Sequence, residues 1–348
     1  MKSIFNTVLF LVFTFFLTSY QKANGQEVLQ VTSEITPEEM VEMLIGTGLE
    51  FSNVVFTGAE ISRGSFWGGP GNIGVTNGII LTSGSVYLAP GPDTTESAQY
   101  NNSGDGDDDL AILGGGNSYD ACVLEFDFIP YYDHMWFQFV FGSEEYPEFV
   151  NTGFNDVFGF FLSGPGISGP YSNNSVNIAL IPGTEVPVSI DNVNSENNSE
   201  YYVENDSDFI QYDGFTTVLT AESDVEPFGT YHIKLAIADI LDHVFDSGVM
   251  LQANSFCSGP STGTEEIPSA HDWKMFGVYP VPAGDVLNIT CGGGEAFSIQ
   301  LIGQDGRTWR NFEGSSKVTI DLRDIPQGLY ILRITGNDVV ETRKIFKR

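Results

Sequence analysis

From Met135 to Leu162 the chain reads as two aromatic-rich runs, Met135 to Phe141 and Val157 to Leu162, whose large side chains alternate with the period of a strand. Both runs are therefore expected as buried strands, and their connection is acidic: it carries Glu144, Glu145, Glu148 and Asn155-Asp156. Carboxylates beside a core are costly unless something neutralises them. Between Gln26 and Glu266 the sequence offers only Arg63 and Lys234 as fixed cations, against 37 Asp or Glu. A bound cation is the natural neutraliser.

The same strand grammar recurs along the chain. Val54 to Thr57, Gly78 to Thr82, Ala121 to Phe128, Val176 to Ile181, Val186 to Ile190, Phe215 to Thr220, Tyr231 to Ala238 and Val249 to Phe256 are further short β-type runs, divided by Gly, Pro, Asn and Asp. No regular helical runs lie between them to build a parallel sheet, so the expected class is all-β, with a large sandwich or jelly roll. One helix is expected at its start. Thr36-Pro37-Glu38-Glu39 has the form of a capping box, with Met40, Val41, Met43 and Leu44 as the apolar side and Gly46 and Gly48 beyond the end.

Charge divides the chain. From Ile267 onward ten Lys or Arg meet nine Asp or Glu, whereas the preceding stretch is strongly acidic. Residues 1–25 read as a signal peptide, with Lys2 before an apolar run and Ala23 and Gly25 before the cut. Residues 26–256 are the large β domain, 257–275 a Ser, Gly, Thr and Pro-rich linker, and 276–348 a second small domain. No other segment is long and apolar enough to cross a bilayer as a helix. The acidic surface disfavours nucleic acid and anionic lipid as partners.

Two resemblances add to this reading. The phrases FGSEEYPEFV, FNDVFGFFLSGPG and YHIKLAIADILDHVFDSGVMLQANSF resemble the signature blocks of the choice-of-anchor L domain, from about Thr36 to Phe256. That likeness implies a secreted β-rich module without an established activity. Val278-Tyr279-Pro280-Val281-Pro282, Gly328-Leu329-Tyr330 and the basic ending Arg343 to Arg348 resemble the type A C-terminal sorting domain of the type IX secretion system; Val281 stands where an Asn is usual. That likeness implies an immunoglobulin-like sandwich, engagement of the secretion machinery through residues 276–348, and a secreted or outer-surface location.

The candidate calcium ligands are Glu144, Glu145, Asp156, Asp239, Asp242 and Asp246, drawn from two loops that leave buried strands. Calcium takes six to eight oxygens, more than one short loop supplies, so two converging loops would fill its shell. Asp105, Asp107 and Asp109 form a second candidate loop, without the spacing of an EF-hand. For Asp239, Asp242 and Asp246 the competing reading is acids that cap turns and bond backbone amides, and for the Asp105 to Asp109 turn it is a solvated acidic loop. Cys122 and Cys257 fall on expected strand faces, and either a disulfide or two buried thiols is open to them; Cys291 is left over.

No nucleophile elbow, zinc-protease helix or phosphate loop is present, and His134, His232 and His243 sit in or beside strand patterns. The expected function is a non-catalytic surface binding or adhesion module stabilised by calcium, with an unidentified glycan or protein ligand. An extracellular hydrolase using Glu144 or Glu145 with a second carboxylate is the alternative, and a structural surface-layer component is another. Phe66-Trp67, Tyr131-Tyr132, Tyr146, Tyr171 and Tyr201-Tyr202 are the aromatics that would stack on sugars if exposed.

Overall fold

The computed structural model describes residues 28–261 and 276–347, apart from 69–70, 96, 207–208, 280–282, 284, 292–295, 304–305, 316 and 337–338. The expected signal peptide and residues 262–275 of the expected linker lie outside the described residues.

The chain runs through β1 (Gln30–Thr32), α1 (Pro37–Leu44), β2 (Leu49–Thr57), β3 (Arg63–Trp67), β4 (Asn77–Thr82), α2 (Asp108–Gly114), β5 (Ser118–Pro130) and β6 (His134–Ser143). It continues through β7 (Val157–Ser163), β8 (Val176–Asn177), β9 (Tyr202–Glu204), β10 (Gly214–Thr216), β11 (Leu219–Asp224), β12 (Tyr231–Ile240), β13 (Ser247–Gln252) and β14 (Cys257–Gly259). Two antiparallel sheets result. One has the order β1-β3-β4-β13-β6-β10-β9, with β11 and β14 also on β6; the other is β2-β5-β12-β7-β8.

The inner faces of the sheets supply one core. Phe137, Phe139 and Phe141 of β6 meet Phe158 and Phe160 of β7, with ring centroids 4.8–5.4 Å apart. Every one of these rings is fully buried. Alternation therefore does what it promised, and a single Phe→Ala here would cost about 3–5 kcal/mol. The helix α1 caps as expected: the Thr36 hydroxyl accepts from the Glu39 amide and Glu39 reaches back to the Thr36 amide, while Met40, Val41 and Leu44 face the core.

Several expectations needed correction. The helix α2 was not anticipated, although Asp107 as cap, acids in the first turn and Gly115 at φ 70° past the end are ordinary helix signals. The run Phe215 to Thr220 is two strands, since β10 pairs with the end of β6 and β11 with the rest of it. Val176 to Ile181 keeps only two residues as strand, and Val186 to Ile190 makes isolated bridges. The run Val249 to Phe256 stops at Gln252, and a turn with Asn254 at φ 57° leads into β14. Cys257–Gly259, expected to open the linker, pairs with β6 at Trp136 to His134.

That turn also decides the cysteines. Cys122 and Cys257 are both buried and are not bonded to each other. Cys122 donates to the Ser62 carbonyl at 3.3 Å, whereas Cys257 lies beside Asn254 and accepts from the Thr47 amide at 3.4 Å. Burial pushes the Cys122 thiol up to about 12. Nothing is described of the Cys291 side chain.

Residues 276–347 form antiparallel sheets of three strands (Phe276–Tyr279, Val286–Cys291, Lys317–Asp321) and four (Thr308–Ser315, Ala296–Gly303, Gly328–Gly336, Val339–Lys347). They enclose a core of their own that includes Leu287, Ile289, Ile299, Leu301, Leu332 and Ile334.

Candidate cation site at the acidic end of the sandwich

One end of the sandwich gathers the end of β4, the end of β6, the start of β7, the end of β12 and the start of β13. Each contributes polar side chains where its strand stops. Glu144 and Glu145 follow the last residue of β6, Asp156 precedes β7, Asp239 is the penultimate residue of β12, and Asp246 precedes β13. All five are at most 2% exposed. Burial of these carboxyls is the outcome that separation in sequence concealed.

The loops are tied together by the acids themselves. Glu144 accepts from the Ala98 amide at 2.9 Å through Oε2, and Asp246 accepts from the Tyr100 amide at 2.8 Å through Oδ2. Glu145 accepts from the Asp156 amide at 2.9 Å. Asp156 in turn accepts from the Ile240 amide at 3.0 Å and the Ser247 hydroxyl at 2.9 Å. Backbone bonds from Glu144 to the Asp246 carbonyl and from Asp246 to the Ala98 carbonyl complete the stitching. Gly84 packs so closely on Asp246 that a Cβ would fall 1.6 Å from its carboxylate oxygen. Larger residues at 84 are therefore excluded.

Four carboxylate oxygens are left over. Glu144 Oε1, Asp246 Oδ1 and both oxygens of Asp239 are buried without a hydrogen-bond partner. Neither basic residue of the domain relieves them. Arg63 pairs with Glu60 and the Ile35 carbonyl, its guanidinium over Phe56, and Lys234 bridges Asp107 and Asp109 at 2.6 and 2.8 Å.

Unrelieved burial shows in the titration of the group. Desolvation, with repulsion from Asp213, Asp93 and Asp246, pushes Glu144 up to about 9 despite the Ala98 amide. Desolvation and the charges of Asp242 and Asp191 raise Glu145 to about 7, and desolvation with Asp120 raises Asp246 to about 7. Asp156 is held well above the usual carboxylate range by burial and the charges of Glu145 and Asp239, and Asp239 by burial and the charges of Asp246 and Asp120. Ser83 and Asp156 approach Asp239 closely enough to offset part of this, without hydrogen-bond geometry.

The six expected ligands thus divide. Five are buried at the same end of the sandwich, while Asp242 stays part-exposed and accepts from the Val244 amide at 3.1 Å. Glu148 is exposed. Among the described residues no three His, Cys, Asp or Glu side chains are gathered around one point as a bound metal would hold them. A cation would therefore have to draw these carboxylates inward.

Asp120 was missed by sequence reasoning. It is buried at the start of β5 with φ 50°, and its carboxylate takes the Gly104 amide and His243 Nδ1, the latter at 2.9 Å. Its only signal in the sequence is an acid immediately before an apolar alternating run.

The second candidate loop has other occupations. Asp107 caps α2, Asp109 accepts from Ser172 as well as Lys234, and Asp105 is exposed. His134, His232 and His243 are each held by carboxylates, His134 by Asp224, His232 by Asp127 and Glu125, His243 by Asp120, and two of them also lie against aromatic rings, His134 on Trp136 and His243 on Tyr119. Of the aromatics proposed for stacking, Phe66 and Tyr146 are core, Tyr201 and Tyr202 pack on the core, and Tyr132 is exposed.

Comparison with known proteins gives two family matches. The model of the Choice-of-anchor L domain matches residues 28–257, and that of the Secretion system C-terminal sorting domain matches residues 277–348. No curated protein matches. Among solved structures, dimeric latent PorU from Porphyromonas gingivalis is 10% identical over 82% of this chain and 24% of that chain, with a TM-score of 0.18. The present chain thus spans about a quarter of that protein. The CBM51-2 and INT domains of Clostridium perfringens ZmpB are 9% identical over 86% of this chain and 92% of that one, with a TM-score of 0.16. Likenesses this slight carry no argument about function.

Proposed function

Because the chain belongs to the choice-of-anchor L domain family and ends in a secretion-system sorting domain, it is a secreted or cell-surface protein, and we propose that it is a non-catalytic binding module whose sandwich is completed by calcium. Export runs through the type IX machinery by way of residues 277–348. Neither matched family is a catalytic one.

The observation that carries the calcium reading is the set of four buried, unpartnered oxygens on Glu144, Asp239 and Asp246. Oxygen-only donors with flexible shell geometry suit calcium, and Glu145 and Asp156 complete the charge around them. The same burial weighs against the hydrolase alternative. Glu144 and Glu145 are 1% and 2% exposed, so a polysaccharide has no access to them.

The test is a melting curve of the purified chain with calcium and with chelator. For a dissociation constant of about 0.1 to 1 mM, calcium at roughly 10 mM adds about 1.4 to 2.7 kcal/mol. At about 2–4 °C per kcal/mol for a domain of this size, melting rises by roughly 3–10 °C. Asp239→Asn replaces a buried carboxyl that the metal-free fold keeps protonated with a neutral amide of similar shape, so it abolishes the calcium response without lowering the melting point in chelator. Indifference of the wild-type curve to both additions, from protein free of bound metal by elemental analysis, removes the reading.

A further inference from the structure

Residues 97–104 run across the acidic end without joining a helix or strand. Gln99, Tyr100, Asn101 and Ser103 are exposed, and Ala98 is the one buried side chain of the segment, so apolar packing does little to hold it down. Hydrogen bonds to the acids do so instead. The Ala98 amide donates to Glu144 Oε2, the Tyr100 amide to Asp246 Oδ2 and the Gly104 amide to Asp120 Oδ1. One strap is thereby pinned to three buried carboxyls, which stand where β6 ends and where β13 and β5 begin. Asn102 adds a fourth tie, its side-chain amide donating to the Ser83 and Gly84 carbonyls at 2.9 and 2.8 Å.

Two of the pins are also candidate ligands, and each divides its oxygens between the two tasks. Glu144 holds Ala98 through Oε2 and leaves Oε1 buried without a partner, and Asp246 holds Tyr100 through Oδ2 and leaves Oδ1 in the same condition. A cation that takes the free oxygens therefore need not break the bonds to the strap. It fixes the carboxylates, as ligating carboxylates with a second hydrogen bond are generally fixed, and the strap amides gain acceptors held in place. Without a cation the same acids repel one another across a poorly screened site, and the pins are loosely set. The strap bonds buried carboxyls on its inner side and meets water on its outer side, so it stands between the site and solvent. Segments with so little apolar contact open at low cost.

We infer that residues 97–104 are a strap gated by the cation: calcium on the free oxygens of Glu144 and Asp246 locks it shut, and it lifts for the ion to enter or leave. The inference rests on the calcium reading and adds a moving part to it. Coupling runs both ways, because a strap held shut by the ion also holds the ion. A locked strap fixes Gln99, Tyr100 and Asn101 at the surface, so calcium outside the cell sets the shape of this end of the sandwich.

The experiment is hydrogen exchange of the whole purified chain, resolved by mass spectrometry of peptides, in chelator and in roughly 10 mM calcium, with calorimetry recording calcium binding separately. With calcium the amides of residues 97–104 exchange at least about ten-fold more slowly. The Phe228 and Gly229 amides, bonded to the Pro130 and Glu226 carbonyls at the opposite end of β5, keep their rate. Asp246→Asn can still accept from the Tyr100 amide but offers no second oxygen to the ion, so calcium no longer protects the strap; Glu144→Gln serves the same purpose if that variant melts lower. Asn102→Ala removes a tie to backbone carbonyls, and in stopped-flow mixing it speeds both calcium entry and release at least about five-fold, whereas loss of a ligand would speed release alone. Three results overturn the inference and leave the calcium reading standing: calcium binding without protection of the strap, equal protection of Phe228 and Gly229, or entry and release unaltered in Asn102→Ala. Protection retained in the ligand variants overturns it too, and absence of calcium binding removes both readings.

Discussion

Raising the pH in the absence of calcium should destabilise the acidic domain, and by an amount set by protons that the fold retains. Glu144 has a folded pKa of about 9 against a usual value of 4.5. Between those values the native state holds a proton that the unfolded chain has released, so the stability falls as pH rises, by about 1.4 kcal/mol per unit. From pH 7 to 8.5 that single group accounts for about 2 kcal/mol, or roughly 4–8 °C in melting for a domain of this size. Glu145 and Asp246, with folded pKa values of about 7, act in the same direction at lower pH. His232, whose pKa is also raised, loses its own contribution as pH climbs and adds to the slope in chelator. Calcium separates these causes, because it replaces the protons on the carboxylates and leaves His232 alone. The assay is thermal melting by circular dichroism at pH 6, 7, 8 and 8.5, in chelator and in about 10 mM calcium. The chelated curve should fall steeply and the calcium curve should be markedly flatter. Calorimetry at pH 7 should show about one proton or more released per calcium bound, read from the dependence of heat on the buffer. Parallel curves in calcium and chelator, or a chelated protein that gains stability from pH 7 to 8.5, would refute the reasoning.

Two other outcomes follow from contacts described above. Lys234→Met leaves Asp107 and Asp109 facing each other with Asp109 buried, so it should lower stability by roughly 3 kcal/mol in urea melts, and adding Asp109→Asn should recover part of the loss; a loss under 1 kcal/mol would mean the clasp is dispensable. Deleting residues 276–348 should hold the protein inside the cell envelope, and normal amounts at the surface or in the medium by immunoblotting would contradict the sorting assignment.

Local rules were readable wherever one segment carries its own answer. The capping box at Thr36 and Glu39 specifies a helix start without reference to any other part of the chain. The Phe137, Phe139 and Phe141 series specifies which face of β6 is buried. What the sequence hides is the third dimension between segments. Glu144 and Asp239 each follow or end an apolar strand, which made their loops suspect, yet nothing local says that Asp120 would join them or that Asp242 would stay outside. Lys234 is the clearest case: it lies opposite Glu125 in the ladder, but its ammonium reaches Asp107 and Asp109 on a helix start that had itself been read as a metal loop. The acids at 105–109 and those at 239–246 are alike in composition; a single lysine on the adjoining strand separates a neutralised group from an unrelieved one.

The strand β6 also sets a timetable. Four later strands complete its hydrogen bonding: β10, β11, β13 and finally β14 at Cys257–Gly259. While the chain is being made, the Phe-rich edge of β6 waits for all of them, and the sheet has no finished intermediate until Gly259 has emerged. Non-local pairing of this kind folds slowly and leaves adhesive edges open in the meantime. Such a molecule is suited to being kept extended during synthesis and to acquiring its structure late, in one cooperative step, after the last of those strands is free to close.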